Sequence, residues 1–213
     1  MTLLFFIRHG ENDWTGQRLP GWTPGIHLNE RGKAQSEALA RLLQPAKLEA
    51  IYASPLERTM ETAGPLARLT GLPVQSRDGL ADVRPGEWQG QSLRVLRLRK
   101  LWPVIEHTPS LARFPGGESF PEAQARVVAE IESIRRAHPG PRAAVACVSH
   151  ADAIKLGVAH YLGLHLDLFQ RLSIDPASIS VLWIEASSAR LVRLNDTRAT
   201  EAGKAVEKVR PSS

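Results

Sequence analysis

Leu3-Leu4-Phe5-Phe6-Ile7-Arg8-His9-Gly10-Glu11 decides how this chain is read. Residues 3–7 are continuously apolar, with no alternation, which predicts a strand buried on both faces of a parallel sheet. The run ends in a guanidinium, an imidazole and a glycine. A potential nucleophile therefore stands beside a potential anion clamp at the carboxyl end of a strand. Open α/β sheets bind their ligands beyond that end.

Two other apolar runs end in a similar way. Residues 48–53 lead into Ser54 and, one helical turn on, Arg58. Residues 143–148 lead into Ser149 and His150. If the three strands are parallel neighbours, two arginines and two histidines meet on one rim. Such a set, without a matching carboxylate cluster, describes an anion site. Arginine matches phosphate through paired charge-assisted hydrogen bonds. Helix N-termini after the strands add N–H donors. Neutral imidazole can attack phosphorus near pH 7.

Helical patterns fill the intervals. Asn29 is placed to cap a helix over 30–44, with Ala38, Leu39, Leu42 and Leu43 on one face. Ser54-Pro55-Leu56-Glu57 has the spacing of a capping box, with Ser54 at the N-cap of a helix to about residue 69. A third strand is predicted at 73–76, and Ser92 is predicted to cap a helix through about 102. Ser119-Phe120-Pro121-Glu122 repeats the capping-box spacing and opens a helix to about 137. A helix over 151–162, a short one near 166–171 and strands at 178–185 and 190–194 complete the chain. Buried strands alternating with amphipathic helices predict an α/β fold, a three-layer α/β/α sandwich around a mostly parallel sheet.

With 213 residues, the chain is long enough for one domain with a substantial core. The net charge of +5 suits an anionic substrate. The basic residues are scattered, apart from Arg94, Arg97, Arg99 and Lys100, and there are only two tyrosines, which argues against nucleic-acid binding. Cys147 is the single cysteine, so no disulfide can form within the chain. It lies in an apolar run and lacks the arginine six positions later that a cysteine phosphatase would need; that position is Ala153. The N-terminal apolar stretch is too short for a signal peptide or a membrane span, so a cytoplasmic protein without membrane association is expected. His27, His107, His138, His160 and His165 lack metal-ligand spacing, and no phosphate-binding P-loop pattern is present. Residues 199–213 are polar and predicted to form a flexible tail.

The motifs resemble one known family. Phe6-Ile7-Arg8-His9-Gly10-Glu11, Tyr52-Ala53-Ser54-Pro55-Leu56-Glu57-Arg58-Thr59 and Val148-Ser149-His150-Ala151-Asp152 are similar, in order and spacing, to three signatures of the histidine phosphatase superfamily, in its phosphoglycerate mutase-like branch. The likeness spans residues 1–198 as one domain, with 86–118 as a candidate covering insertion. Residues 114–119 and 165–171 resemble a bacterial subgroup of probable phosphomutases.

The resemblance implies that His9 is a phosphohistidine nucleophile and that Arg8, Arg58 and His150 bind the transferring phosphate. It places the general acid at Asp82, where the family usually has Glu, with Glu87 as the lesser candidate. Asn12, Thr15 and Ala151 fall on phosphate-contacting positions, with Asn12 and Thr15 standing where the family often has Thr and Asn. Thr23, Gly25, Glu118 and Ser119 are expected on the substrate-specificity side. The activity implied is metal-independent, cofactor-free hydrolysis of a small phosphorylated metabolite, with inorganic phosphate as product, by a monomer or homodimer. A phosphomutase, or a non-catalytic phospho-ligand binding module on the same scaffold, are the alternatives.

Overall fold

The structure, a computed structural model, describes residues 1–140 and 143–199. Six strands form one sheet: β1 (Thr2–Arg8), β2 (Ala50–Ala53), β3 (Val74–Ser76), β4 (Ala143–Ser149), β5 (Ile179–Ile184) and β6 (Ala189–Asp196), in the order β3-β2-β4-β1-β5-β6. β4 pairs in parallel with both β1 and β2, and β2 in parallel with β3. β5 runs antiparallel to β1, and β6 antiparallel to β5, so the sheet is mixed at one edge. The three most apolar predicted strands are thus adjacent and co-directional. All seven residues of β4 are buried, as its unbroken apolar run predicts.

Helices cover both faces. α1 (Glu30–Leu43) and α2 (Glu57–Thr70) pack on one side, where Leu39, Leu43, Ala63 and Leu66 meet Ile7, Ile51 and Val148. On the other side lie α5 (Phe120–Ala137) and α6 (Ala151–Tyr161), where Val127, Ile131, Ile154 and Val158 meet Leu4, Phe6 and Cys147. Truncating Phe6 to alanine should cost about 3–5 kcal/mol. Cys147 is a core residue, and burial pushes its thiol well above the ordinary range.

Asn29 caps α1 by accepting from Gly32 N, and Ser119 with Glu122 closes a complete capping box on α5. The capping box predicted at Ser54 does not form. α2 begins after Leu56, with no side-chain cap, because the Ser54 hydroxyl is committed elsewhere. The single helix predicted after Ser92 is two short ones, α3 (Leu93–Leu96) and α4 (Trp102–His107). Between them, residues 97–100 are exposed and Leu98 is 86% accessible, so no apolar stripe carries one helix through. Residues 86–118 close over an aromatic cluster of Trp88, Phe114, Phe120 and Phe169. Ala199 is buried against the α1–α2 face; the rest of the expected tail, 200–213, lies outside the described residues. Among the described residues, no helix is long and apolar enough to cross a membrane.

Candidate active site

The sheet brings the predicted residues together at the carboxyl ends of β1, β2 and β4. His9 N donates to Ser149 O, and Ser54 N donates to Val148 O, so the ladder continues one residue past the strands and pins both backbones. The His9 and His150 rings meet edge to face with centroids 5.3 Å apart. Gly10 is required by packing, not by a strained turn. A Cβ there would stand 2.7 Å from Gly32 O, so the loop after His9 could not lie against the start of α1. The Gly10 N–H donates to Thr62 Oγ1, which in turn donates to Arg58 O, linking the first motif to the second.

Arg58 is fully buried. Its Nη2 lies 2.8 Å from Gly21 O, 3.2 Å from His150 Nδ1 and 3.6 Å from Asp82 Oδ2. Its Nε and Nη1 are buried without a partner, and so is Arg8 Nε. Arg8 Nη1 donates to Ile174 O at 2.6 Å, which anchors one arm of that fork. Burial pulls both guanidinium groups below their ordinary value, against the opposing pull of Asp82. Buried donors left unpaired are costly, and they mark where an anion would complete the structure.

The same burial, reinforced by Arg58, holds His9 and His150 well below the ordinary histidine value, so both rings are neutral at pH 7. His9 Nδ1 stands 2.7 Å from Gly10 O. A carbonyl only accepts, so the proton sits on Nδ1 and Nε2 keeps its lone pair. At His150 the guanidinium can only donate to Nδ1, which places the proton on Nε2, 2.9 Å from Ser54 Oγ. Ser54 therefore orients His150 and does not cap α2.

Asp82 supplies the carboxylate. Its Oδ2 lies 3.9 Å from His150 Nδ1, and its Oδ1 accepts from Val83 N. Desolvation, partly offset by Arg58, raises Asp82 to about 6. The loop that carries it is clamped from outside the sheet. Arg126 on α5 uses all five of its N–H donors: Nη1 on Gly79 O and Ala81 O, Nη2 on Asp82 O and Glu118 Oε2, and Nε on Glu118 Oε1. Trp22 Nε1 donates to the same Asp82 carbonyl at 2.7 Å, and Ser149 Oγ donates to Leu80 O.

A cavity of about 240 Å³ is lined by Arg8, His9, Asn12, Thr15, Asp82, His150 and Ala151, among others. The Asn12 Oδ1 accepts from Trp14 N, so its NH₂ is the group that can donate to an anion. Thr15 Oγ1 accepts from Asn12 N. Among the described residues, no group of three or more His, Cys, Asp or Glu could hold a metal ion.

The four residues placed on the specificity side are not brought to this cavity. Thr23 closes the turn 20–23 through Pro20 O, and Gly25 N donates to Glu57 Oε1. Ser119 caps α5. Glu118 is the counter-ion of Arg126; burial pushes against its ionisation, but Arg126 and the Arg84 N–H hold it below the ordinary range. Glu87 is exposed and lines no part of the cavity, so of the two candidate proton donors Asp82 is the one in place.

The chain is similar to known proteins over most of its length. Residues 4–197 match the family model of the histidine phosphatase superfamily (branch 1). Phosphoserine phosphatase 1 of Hydrogenobacter thermophilus is 31% identical over 202 residues, covering 92% of this chain and 93% of that protein. A probable phosphoglycerate mutase of Photorhabdus laumondii is 28% identical over 183 residues, 84% of each chain. The structure of a mycobacterial glucosyl-3-phosphoglycerate phosphatase superposes with a TM-score of 0.83 at 27% identity, covering 91% of this chain and 98% of that one.

Proposed function

Since the chain belongs to the histidine phosphatase superfamily, we propose that it hydrolyses phosphomonoesters of small metabolites through a phosphohistidine on His9. The observation that carries this reading is the set of unpaired, buried guanidinium nitrogens of Arg8 and Arg58 around two neutral imidazoles.

In the first step the lone pair of His9 Nε2 forms the N–P bond. The P–O ester bond breaks, and its electron pair leaves with the alkoxide oxygen. That oxygen takes the proton of Asp82, whose elevated value of about 6 keeps a useful protonated fraction near neutrality. Arg8 and Arg58 stabilise the charge spread over the transferring group. In the second step Asp82 takes a proton from water, the hydroxide oxygen attacks phosphorus, the N–P bond breaks and inorganic phosphate leaves.

Hydrolysis is favoured over phosphoryl return to a second hydroxyl. A mutase must hold a bisphosphate beneath a basic cover. Here Arg94, Arg97, Arg99 and Lys100 are exposed and line neither the 240 Å³ cavity nor the larger one beside it. The test is hydrolysis of p-nitrophenyl phosphate with and without EDTA. Activity is expected to survive EDTA and to vanish in His9→Ala; activity persisting in His9→Ala would overturn the assignment. Bisphosphoglycerate-dependent mutase turnover would overturn the choice of hydrolase.

A further inference from the structure

Beside the phosphate cavity lies a second one of about 550 Å³, walled by Trp102, Ile105, Phe114 and Phe120 and edged by Glu106 and Arg171. Three residues line both cavities: Leu19, Leu93 and Asp152. Two of the three are apolar, so among the described residues Asp152 is the polar residue that the two cavities share, at the throat between them.

Asp152 stands in the first turn of α6, two residues after His150. Its counter-ion is Lys155. Lys155 Nζ lies 3.5 Å from Asp152 Oδ1 and 3.0 Å from Gln170 Oε1, over the Phe169 ring, and Lys155 lines neither cavity. Of this ion pair, the carboxylate is the member that lines both spaces. With phosphorus beside His9, the atoms just past the ester oxygen are the ones that reach this point.

Resting on the phosphatase reading above, we infer that the larger cavity takes the alcohol part of the substrate and that Asp152 sorts substrates by the charge beside the ester carbon. It accepts a hydrogen-bond donor there, a hydroxyl or an ammonium, and repels a second acid group. The substrate class is then the phosphate ester of a polyol or amino alcohol whose apolar remainder lies on the aromatic wall. The same repulsion works against a bisphosphate.

An aspartate in a first helical turn also stabilises the helix dipole, so the test must separate the two roles. Three matched esters do so: O-phosphoethanolamine, 2-hydroxyethyl phosphate and phosphoglycolate, which carry an ammonium, a hydroxyl or a carboxylate on the same two-carbon frame. The wild type should turn over the first two with kcat/KM about tenfold or more above the third, the scale expected for a like-charge contact in a partly desolvated site. Asp152→Asn, and Asp152→Ala as a second variant, should bring the three within about threefold of one another. A purely structural aspartate would change all three together and leave their ratios intact. A wild type that prefers phosphoglycolate, or unchanged ratios in both variants, would overturn the proposal. Hydrolysis of p-nitrophenyl phosphate that depends on His9 tests the phosphatase reading by itself, so the two can fail separately.

Discussion

The floor of the site and its wall are held by different physics. His9, His150 and Ser54 follow strand ends; the backbones of His9 and Ser54 extend the β-ladder, and His150 is the N-cap residue of α6. Asp82 stands on a loop with no ladder, and its position depends on side chains sent from elsewhere, Arg126 on α5 and Trp22 on the loop after β1. The floor also holds guanidinium groups that burial penalises and that keep nitrogens without a protein partner. In the wall, every N–H donor of the Arg126 clamp is paired. Floor substitutions should therefore remove chemistry at little cost to stability, and wall substitutions should misplace the proton donor.

The largest expected effect is at the floor. Arg58→Met should lower kcat/KM about 10²–10³-fold, the range for losing a preorganised charge donor. Thermal unfolding should show stability little changed, because removing a buried cation with two unpaired nitrogens offsets the loss of its contacts to Gly21 O, His150 and Asp82. A large loss of stability would break the contrast.

Asp82→Asn comes next. It should cost about 10²-fold on alkyl phosphates, and less with a p-nitrophenolate leaving group, which needs little protonation. Wild-type turnover of alkyl esters should fall as pH rises through about 6, where Asp82 loses its proton, and the variant should lack that limb. The stability sign follows. The folded value lies above the ordinary 3.8, so wild-type stability declines as pH rises from 3.8 to about 6, and the full penalty stands above that. Asp82→Asn should be more stable than wild type at pH 7, with the difference shrinking below pH 4. An equal melting profile at both pH values would contradict this.

Arg126→Lys tests the clamp. Lysine keeps the charge but cannot bridge Gly79, Ala81, Asp82 and Glu118 at once. We expect about a tenfold fall in kcat with KM near wild type and a shift of the acid limb. A change in KM alone would show that Arg126 acts on binding and not on Asp82.

Ser54→Ala should have the smallest effect, about fivefold on kcat, for one hydrogen bond lost from His150. Rescue by Ser54→Thr would confirm the role of the hydroxyl.

The contrast between floor and wall also explains what the sequence disclosed. The floor was legible because continuous apolar runs mark buried strands, and whatever follows such a run lands on the rim. Asp82 came only through the family resemblance. Arg126 was not legible, since it acts on backbone carbonyls whose positions no local pattern predicts. Ser54 was misread because its spacing to Glu57 satisfies a capping box, while the rim offered it His150 instead. Thr23, Gly25, Glu118 and Ser119 lie close in sequence to motif residues, but they serve turns, a cap and the Arg126 pair. Asp152 was quoted within a motif, but its place at the throat emerges only when α3 and the loop after β1 fold over it.

The most direct measurement is to trap the covalent intermediate. Enzyme mixed with a phosphomonoester, quenched in base and digested, should yield one peptide heavier by a single phosphoryl group, with the modification on His9, labile in acid and stable in base. Asp82→Asn should accumulate it, because water activation slows more than attack by a good leaving-group ester. Phosphate on any other residue, or turnover with no trapped phosphohistidine in either protein, would contradict the account.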